Sequence, residues 1–324
     1  MRSTKLPSWT ERLLGLEPVA PPPHVFGLGE HELRYGCFRH SSHGFVYERS
    51  RSLPLPDGMF EEGPLGAPLR DPGRLQALVE EITRGLAAPI KSASLVIPDS
   101  WLRLTFTEIA ELPRKRRARE EMLRWKLKRL VPFRVEDLRI SAAEVTPFPT
   151  QEEPMRMLIG FAIELLMSQI EDAFEAAGIE LGRIVNTTLA VAASLEHTAA
   201  AHDLTGLVIV HPDGYTLSFY HRGEPLIYRY KASSEAAASG STVRRDLHLT
   251  TSFLHQHFPD TPLSQLFLAA PTAEEEKWLE WLYEELEADP EPLAFEHFQI
   301  SRTQVGPSWL ETAPLLGAAS LEVA

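Results

Sequence analysis

The chain has 324 residues, 44% hydrophobic and 24% charged, with a formal net charge of −13. That length and apolar content suffice for a large core and about two domains, while the acidic balance argues against nucleic acid, whose field the chain would have to overcome. A single cysteine, Cys37, excludes an internal disulfide framework and suits a reducing compartment. With no run of 18 or more apolar residues and no apolar signal region near Met1, the chain is expected neither to span a membrane nor to be secreted by such a signal.

In chain order, Leu6 to Leu16 (LPSWTERLLGL) offers a capping box, Ser8 with Glu11, and one apolar face of Trp9, Leu13 and Leu16. A short helix packed on the domain is the simpler reading, a membrane or partner anchor the alternative. Val19 to Pro23 (VAPPP) is a stiff spacer. His24 to Ser50 predicts two or three antiparallel strands. Arg74 to Leu86 predicts a helix with Leu75, Leu78, Val79, Ile82 and Leu86 on one face, and Ala93 to Ile97 a strand. Leu102 to Phe161 changes character to a small α+β insertion. Its parts are a strand, a basic helix over Glu120 to Leu130, strands Leu138 to Val145 and Met157 to Ile163, and then an amphipathic helix Leu165 to Ala177.

A second half opens at Val208 with a hairpin, followed by helix Val243 to His257, strand Leu266 to Ala270 and acidic helix Ala273 to Ala288. Trp278, Trp281, Leu282 and Leu286 on the acidic helix predict core contacts. A closing helix, about Pro314 to Leu321, is expected to hold its proline in the first turn and to return to the first domain.

Two hairpins repeat one pattern. His24 to Cys37 (HVFGLGEHELRYGC) and Leu207 to Arg229 (LVIVHPDGYTLSFYHRGEPLIYR) each run a β-branched or aromatic strand into a tight Gly-containing turn and resume as a second strand. One such unit per half suggests a duplicated fold. Both resemble the phosphate loops of the actin-like ATPase superfamily, in which an Asp-x-Gly turn, hydroxyl residues and a Lys cradle a nucleotide. On that pattern Gly27-Leu28-Gly29 stands for Asp-Ile-Gly, Glu30-His31-Glu32 for the hydroxyl residues and Arg34 for the Lys. The second loop is His211-Pro212-Asp213-Gly214-Tyr215-Thr216, with Asp213 two places beyond the lost acid.

Between and beyond these loops the chain resembles the PilM branch of that superfamily, the type IV pilus assembly proteins. The stretches concerned are Ser94 to Ser100 (SLVIPDS), Glu111-Leu112-Pro113, Glu120 to Leu130 (EEMLRWKLKRL) with Pro132-Phe133 before Glu136, Phe174 to Ile179, Leu247 to Ala270 and Ala313 to Ala319. The resemblance implies an actin-like (ribonuclease H-like) α/β fold of two domains with an inserted α+β subdomain called 1C. It divides the chain into a tail and linker (1–23), a first domain (24–104, 179–203 and 308–324), subdomain 1C (105–178) and a second domain (204–307).

Departures from the family gather on nucleotide chemistry. Ala269-Ala270 replaces the Gly-Gly that admits adenosine, and a Cβ at each restricts that approach. Leu181 to Leu195 contains no Asp or Glu, and Glu30 and Glu32 add negative charge where phosphate should sit. A Mg-ATP site needs carboxylates around the metal and N–H groups at the phosphates. The expectation is a pseudo-ATPase without catalytic residues, cofactor or metal; ATP with Mg enters only if the degenerate site still binds.

The resemblance further implies a cytoplasmic scaffold at the inner face of the cytoplasmic membrane, binding the cytoplasmic tail of a PilN-like bitopic membrane protein and conveying contact to the pilus motor ATPases, with self-association open and the membrane met only peripherally. The alternative is an ATP-binding actin-like protein, an FtsA-like filament former or a sugar-kinase relative. Arg114 to Arg134 holds ten Lys or Arg against Glu120 and Glu121, a local +8 that leaves −21 elsewhere. Leu123, Leu127 and Leu130 make an apolar stripe there, while Arg124, Lys128 and Arg129 are expected to look outward toward an acidic partner. A solvated face is the plainer alternative. His40-Ser41-Ser42-His43 and His255-Gln256-His257 lack the carboxylate or thiol that would complete a metal site, and Ser239-Gly240-Ser241 is a loop or cap.

Overall fold

Three strands follow one another with little chain between them. In the computed structural model, which describes residues 23–41, 44–61, 68–131, 134–146, 155–232, 240–294, 297–298, 300–301 and 309–320, they are β1 (His24–Leu28), β2 (Glu32–Ser41) and β3 (Gly44–Pro54), paired antiparallel. Helix α1 (Pro72–Thr83) starts where Asp71 accepts the Arg74 amide at 3.1 Å, with proline at the first helical position. Strand β4 (Ser92–Ile97) then joins β1 in parallel.

The next stretch builds its own small sheet. Strands β5 (Arg103–Ile109), β6 (Leu138–Val145) and β7 (Met155–Ile163) pair antiparallel in the order β5-β7-β6, with α2 (Arg116–Leu127) and a 3-10 turn, Val135–Asp137, between the first two. Helix α3 (Glu164–Ala176) leads back to β8 (Glu180–Asn186), parallel to β4, and then to α4 (Thr187–Ser194) and α5 (Glu196–Ala201).

The second half repeats the opening: β9 (Leu204–His211), β10 (Gly214–His221) and β11 (Glu224–Ala232) pair antiparallel, α6 (Gly240–His257) crosses over, and β12 (Gln265–Ala269) lies parallel to β9. After α7 (Thr272–Leu286), β13 (Pro290–Pro292) completes the sheet β11-β10-β9-β12-β13. Strand β14 (Ile300–Ser301) returns to the first sheet, β14-β3-β2-β1-β4-β8, and α8 (Trp309–Ser320) follows. Each half is thus an antiparallel meander continued by two parallel strands. This is the actin-like arrangement.

Packing follows from which faces are apolar. Phe26, Leu28 and Tyr35 cover one face of the first sheet against Leu75, Val79 and Ile82 of α1 and Leu166, Ile170 and Phe174 of α3. On the other face, Val25, Val96 and Val185 meet α4 and α8, which also reach Leu207, Ile209 and Phe267 of the second sheet. β9 and β10 are buried almost end to end because both faces are covered. Trp278, Trp281, Leu282 and Leu286 are buried with Val243 and Leu247 of α6. Each such Leu or Val side chain contributes about 1.5–3 kcal/mol.

Local differences from the sequence expectation have physical causes. Helix α2 starts at Arg116, a turn before Glu120, because Arg116–Glu120 and Arg117–Glu121 pair at 3.1 Å with helical spacing. It ends at Leu127, so the helical register that would bury Leu130 beside Leu123 and Leu127 is lost, and Leu130 stands 52% exposed. Pro314 lies inside α8 and not in its first turn, since the helix begins at Trp309. Leu6 to Leu16, all of the spacer but Pro23, Ser42-His43, Pro132-Phe133, Ser239 and Leu321 lie outside the described residues. Among the described residues no helix is long and apolar enough to cross a membrane.

Candidate functional site

The β1–β2 and β9–β10 turns face each other across the gap between the two sheets. The first is closed by the Gly29 amide donating to the Glu32 carbonyl at 3.0 Å. The second turns at Pro212-Asp213 and resumes at Gly214, where a Cβ would come within 2.1 Å of the Lys231 carbonyl oxygen; strand β11 passes too close for any side chain. With Ile97 at the end of β4 and Pro98 after it, Thr187 at the start of α4, Pro271 before α7, and Glu311 and Leu315 of α8, these turns enclose a cavity of about 370 Å³.

Of the nucleotide-position residues, Gly27, Gly29, Arg34, His211 and Asp213 line this cavity. Gly214 and Thr216 are buried behind the turn. Ala269 and Ala270 are also buried, each in a hydrophobic cluster, and Pro271 forms the wall in their place.

Charge in the cavity is mostly negative: Glu30, Glu32, Asp213 and Glu311 line it along with the cation Arg34. Arg34 is engaged by those acids. Its Nη2 lies 2.6 Å from Glu32 and 3.4 Å from Glu311, and its Nε donates to Glu32 at 2.7 Å. A phosphate entering here would have to displace carboxylates from the arginine.

The residue that organises the floor of the gap is Asp99, which the sequence reading quoted within SLVIPDS without a role. It is fully buried just past β4. One oxygen accepts the Thr188 amide at 3.0 Å; the other accepts the hydroxyls of Thr188 and, at 2.6 Å, Thr216, and lies 3.0 Å from Nε2 of His211. Thr188 belongs to α4, His211 and Thr216 to β9 and β10 of the second sheet. Burial alone would push the Asp99 carboxyl up; the His211 ring, with the Thr188 hydroxyl and amide, outweighs burial and holds it below its ordinary value.

The Thr188 amide is one of those at the start of α4 that have no partner within the helix, and Asn186 accepts another, that of Leu189, at 2.8 Å. A helix start favours an anion. Here the protein's own carboxylate supplies it. Thus, although Leu181 to Leu195 has no acid, Asp99 brings one to that helix from the neighbouring strand.

Two further contacts tie the halves together. Asn186 donates to the Tyr228 hydroxyl of β11 at 2.7 Å. Arg156 of β7, its guanidinium 4.0 Å from the Phe106 ring centre, donates to the carbonyls of Pro225, at 2.9 Å, and Leu226. Burial pushes Arg156 down to about 10, so it remains charged at neutral pH.

The three basic candidates on α2 and just past its end part company. Arg124 does not look outward: its Nη1 donates to the carbonyls of Val135 and, at 3.0 Å, Leu138, fastening the helix to the 3-10 turn and β6. One guanidinium nitrogen thus serves two carbonyls, of which that of Val135 also accepts the Leu138 amide. Lys128 and Arg129 are exposed, and the Arg129 guanidinium lies 5.7 Å from the ring centre of exposed Trp125. Among the described residues no group of three or more His, Cys, Asp or Glu could hold a metal.

No family model matches the chain, and no curated protein matches it in sequence. Solved structures match it in fold. A chain of the PilM-PilN type IV pilus biogenesis complex is similar at a TM-score of 0.70 and 16% identity, over 95% of this chain and 98% of that one. A Bacteroides thetaiotaomicron protein with an actin-like ATPase fold is similar at 0.49 and 9%, over 84% and 91%. The cytoplasmic domain of EpsL, an inner-membrane component of the Vibrio cholerae type II secretion system, is similar at 0.45 and 13%, over 91% and 93%.

Proposed function

We propose that this chain is an adaptor of an inner-membrane pilus or secretion assembly complex, a cytoplasmic scaffold that binds the short cytoplasmic tail of a PilN-like membrane protein and relays contact to motor ATPases. The observation behind it is the fold shared with a chain of the PilM-PilN complex over 95% of the sequence, which joins the motif order from SLVIPDS to Ala313–Ala319. An extended tail gains affinity from main-chain hydrogen bonds at a sheet edge and from a few apolar pockets.

The interdomain cleft serves as a structural joint without nucleotide turnover. Phosphoryl transfer depends on positioned cations and metal-holding carboxylates. Here Arg34 is engaged by Glu32 and Glu311, and Asp99 is consumed by Thr188, Thr216 and His211. Titrating the full chain with a synthetic PilN-like tail, in the presence and absence of Mg-ATP, tests both statements. Saturable tail binding indifferent to nucleotide is expected. Absence of tail binding would remove the adaptor reading, and nucleotide hydrolysis would favour the alternative of an ATP-using actin-like protein.

A further inference from the structure

We infer that the C-terminal end of α2 is a contact for an anionic lipid bilayer, with Trp125 and Leu130 entering the interface and Lys128 and Arg129 meeting the acidic headgroups. Soluble domains seldom leave a tryptophan uncovered, yet Trp125 is 56% and Leu130 52% exposed, five residues apart across the helix end. Met122 to Val131 holds four cations and no acid. Two of the four are used internally, Arg124 on the carbonyls of Val135 and Leu138 and Lys126 on that of Glu108 at 2.8 Å. Lys128 and Arg129 are exposed beside the uncovered apolar pair.

The combination decides between two acidic surfaces. An acidic protein face would be met by cations alone, and exposed Trp and Leu would add nothing without a pocket to receive them. A bilayer interface takes both parts: indole and leucine settle at the headgroup boundary while Lys and Arg meet anionic lipid, each basic residue adding roughly a fivefold gain in partition. Further up α2 the charges cancel more evenly, Arg116 and Arg117 pairing with Glu120 and Glu121. Since the chain carries −13 overall, an anionic membrane repels its other faces, and the patch sets the orientation. The biological setting of this contact rests on the proposed station at the membrane; its measurement needs no partner protein, so the two readings fail separately.

The test is co-sedimentation of the full chain with vesicles of phosphatidylglycerol in phosphatidylcholine, with pure phosphatidylcholine and with soluble polyglutamate as comparisons. Binding to the acidic vesicles at low ionic strength is expected, declining with salt. Lys128→Glu with Arg129→Glu should weaken it by roughly tenfold or more. Trp125→Ala should weaken it severalfold and leave its salt dependence in place. Unchanged melting temperatures show that both variants fold. No sedimentation with acidic vesicles, equal sedimentation with both lipids, binding unaltered in the variants, or binding to polyglutamate alone would each overturn the inference.

Discussion

The carboxylate of Asp99, just past β4 of the first sheet, accepts a hydrogen bond from the hydroxyl of Thr216, in β10 of the second, at 2.6 Å. Both residues are buried, so the bond is shielded from water and joins the two halves alongside the contacts of Asn186 and Arg156. Asp99→Asn should lower stability by on the order of 2 kcal/mol, since a buried charged acceptor loses its partners' geometry. Thr216→Val should cost about 1 kcal/mol. The double variant should fall short of the sum, because both changes break one network. Chemical denaturation of the four proteins reads this out, and strict additivity would show the residues to be uncoupled.

Acid should loosen the same joint. The folded-state carboxyl of Asp99 is held below its ordinary value, so its contribution is complete above the unfolded carboxylate range and is lost as pH falls through the folded value. The stability gap between the wild type and Asp99→Asn is therefore expected to be constant near neutrality and to narrow below about pH 4. A gap that widens in acid would contradict the assignment.

Mg-ATP should leave the melting temperature unmoved at millimolar concentration. A ligand at 100 times its dissociation constant would add about 2.7 kcal/mol and several degrees, and a rise of that size would restore a nucleotide to the cleft. Reintroducing the superfamily's acids is not expected to help. At Gly27 an added Cβ would lie 3.1 Å from Leu315, and His211→Asp would set a second carboxylate against Asp99, from which the histidine now stands 3.0 Å.

Arg124 and its basic neighbours should separate cleanly. Arg124→Ala removes the charged donor to the Val135 and Leu138 carbonyls and should cost about 1.5–3 kcal/mol. Reversing Lys128 and Arg129 to Glu should alter melting little, because both are exposed. Thermal melts of the two variants side by side measure the difference.

Gly317→Ala should be among the most damaging small changes, as its Cβ would fall 1.9 Å from the Ala190 carbonyl oxygen. Helix α8 would have to move off α4, opening the layer between the sheets, at a cost of several kcal/mol. Soluble expression and melting of this variant give the answer.

Periodicity made most of the fold legible. The apolar faces of Leu75–Ile82 and Trp278–Leu286 are local patterns that any burial must respect, and the two Gly-containing turns announced themselves by composition. Leu130 escaped because a stripe extrapolated by helical spacing presumes that the helix continues, and this one stops at Leu127. Asp99 escaped for a different reason. Its partners Thr188 and Thr216 lie 89 and 117 residues away, and nothing in the segment that houses the capped helix announces an acid brought from so far. Arg124 looked like its neighbours by charge; only the fold tells which cation meets a carbonyl.

The placing of α8 bears on the order of assembly during synthesis. The segments of the second sheet, β9 through β13, are contiguous in the chain apart from their connecting helices. The first sheet instead receives β14 on its edge, and its inner face is covered by a helix made only when the ribosome has passed residue 320. Until residue 320 has been made, Val25, Val96 and Val185 of the first sheet and Leu207, Ile209 and Phe267 of the second share a layer that holds α4 but lacks α8. A nascent chain stalled before Trp309 would present that half-filled layer to chaperones, and both sheets would wait for the same helix.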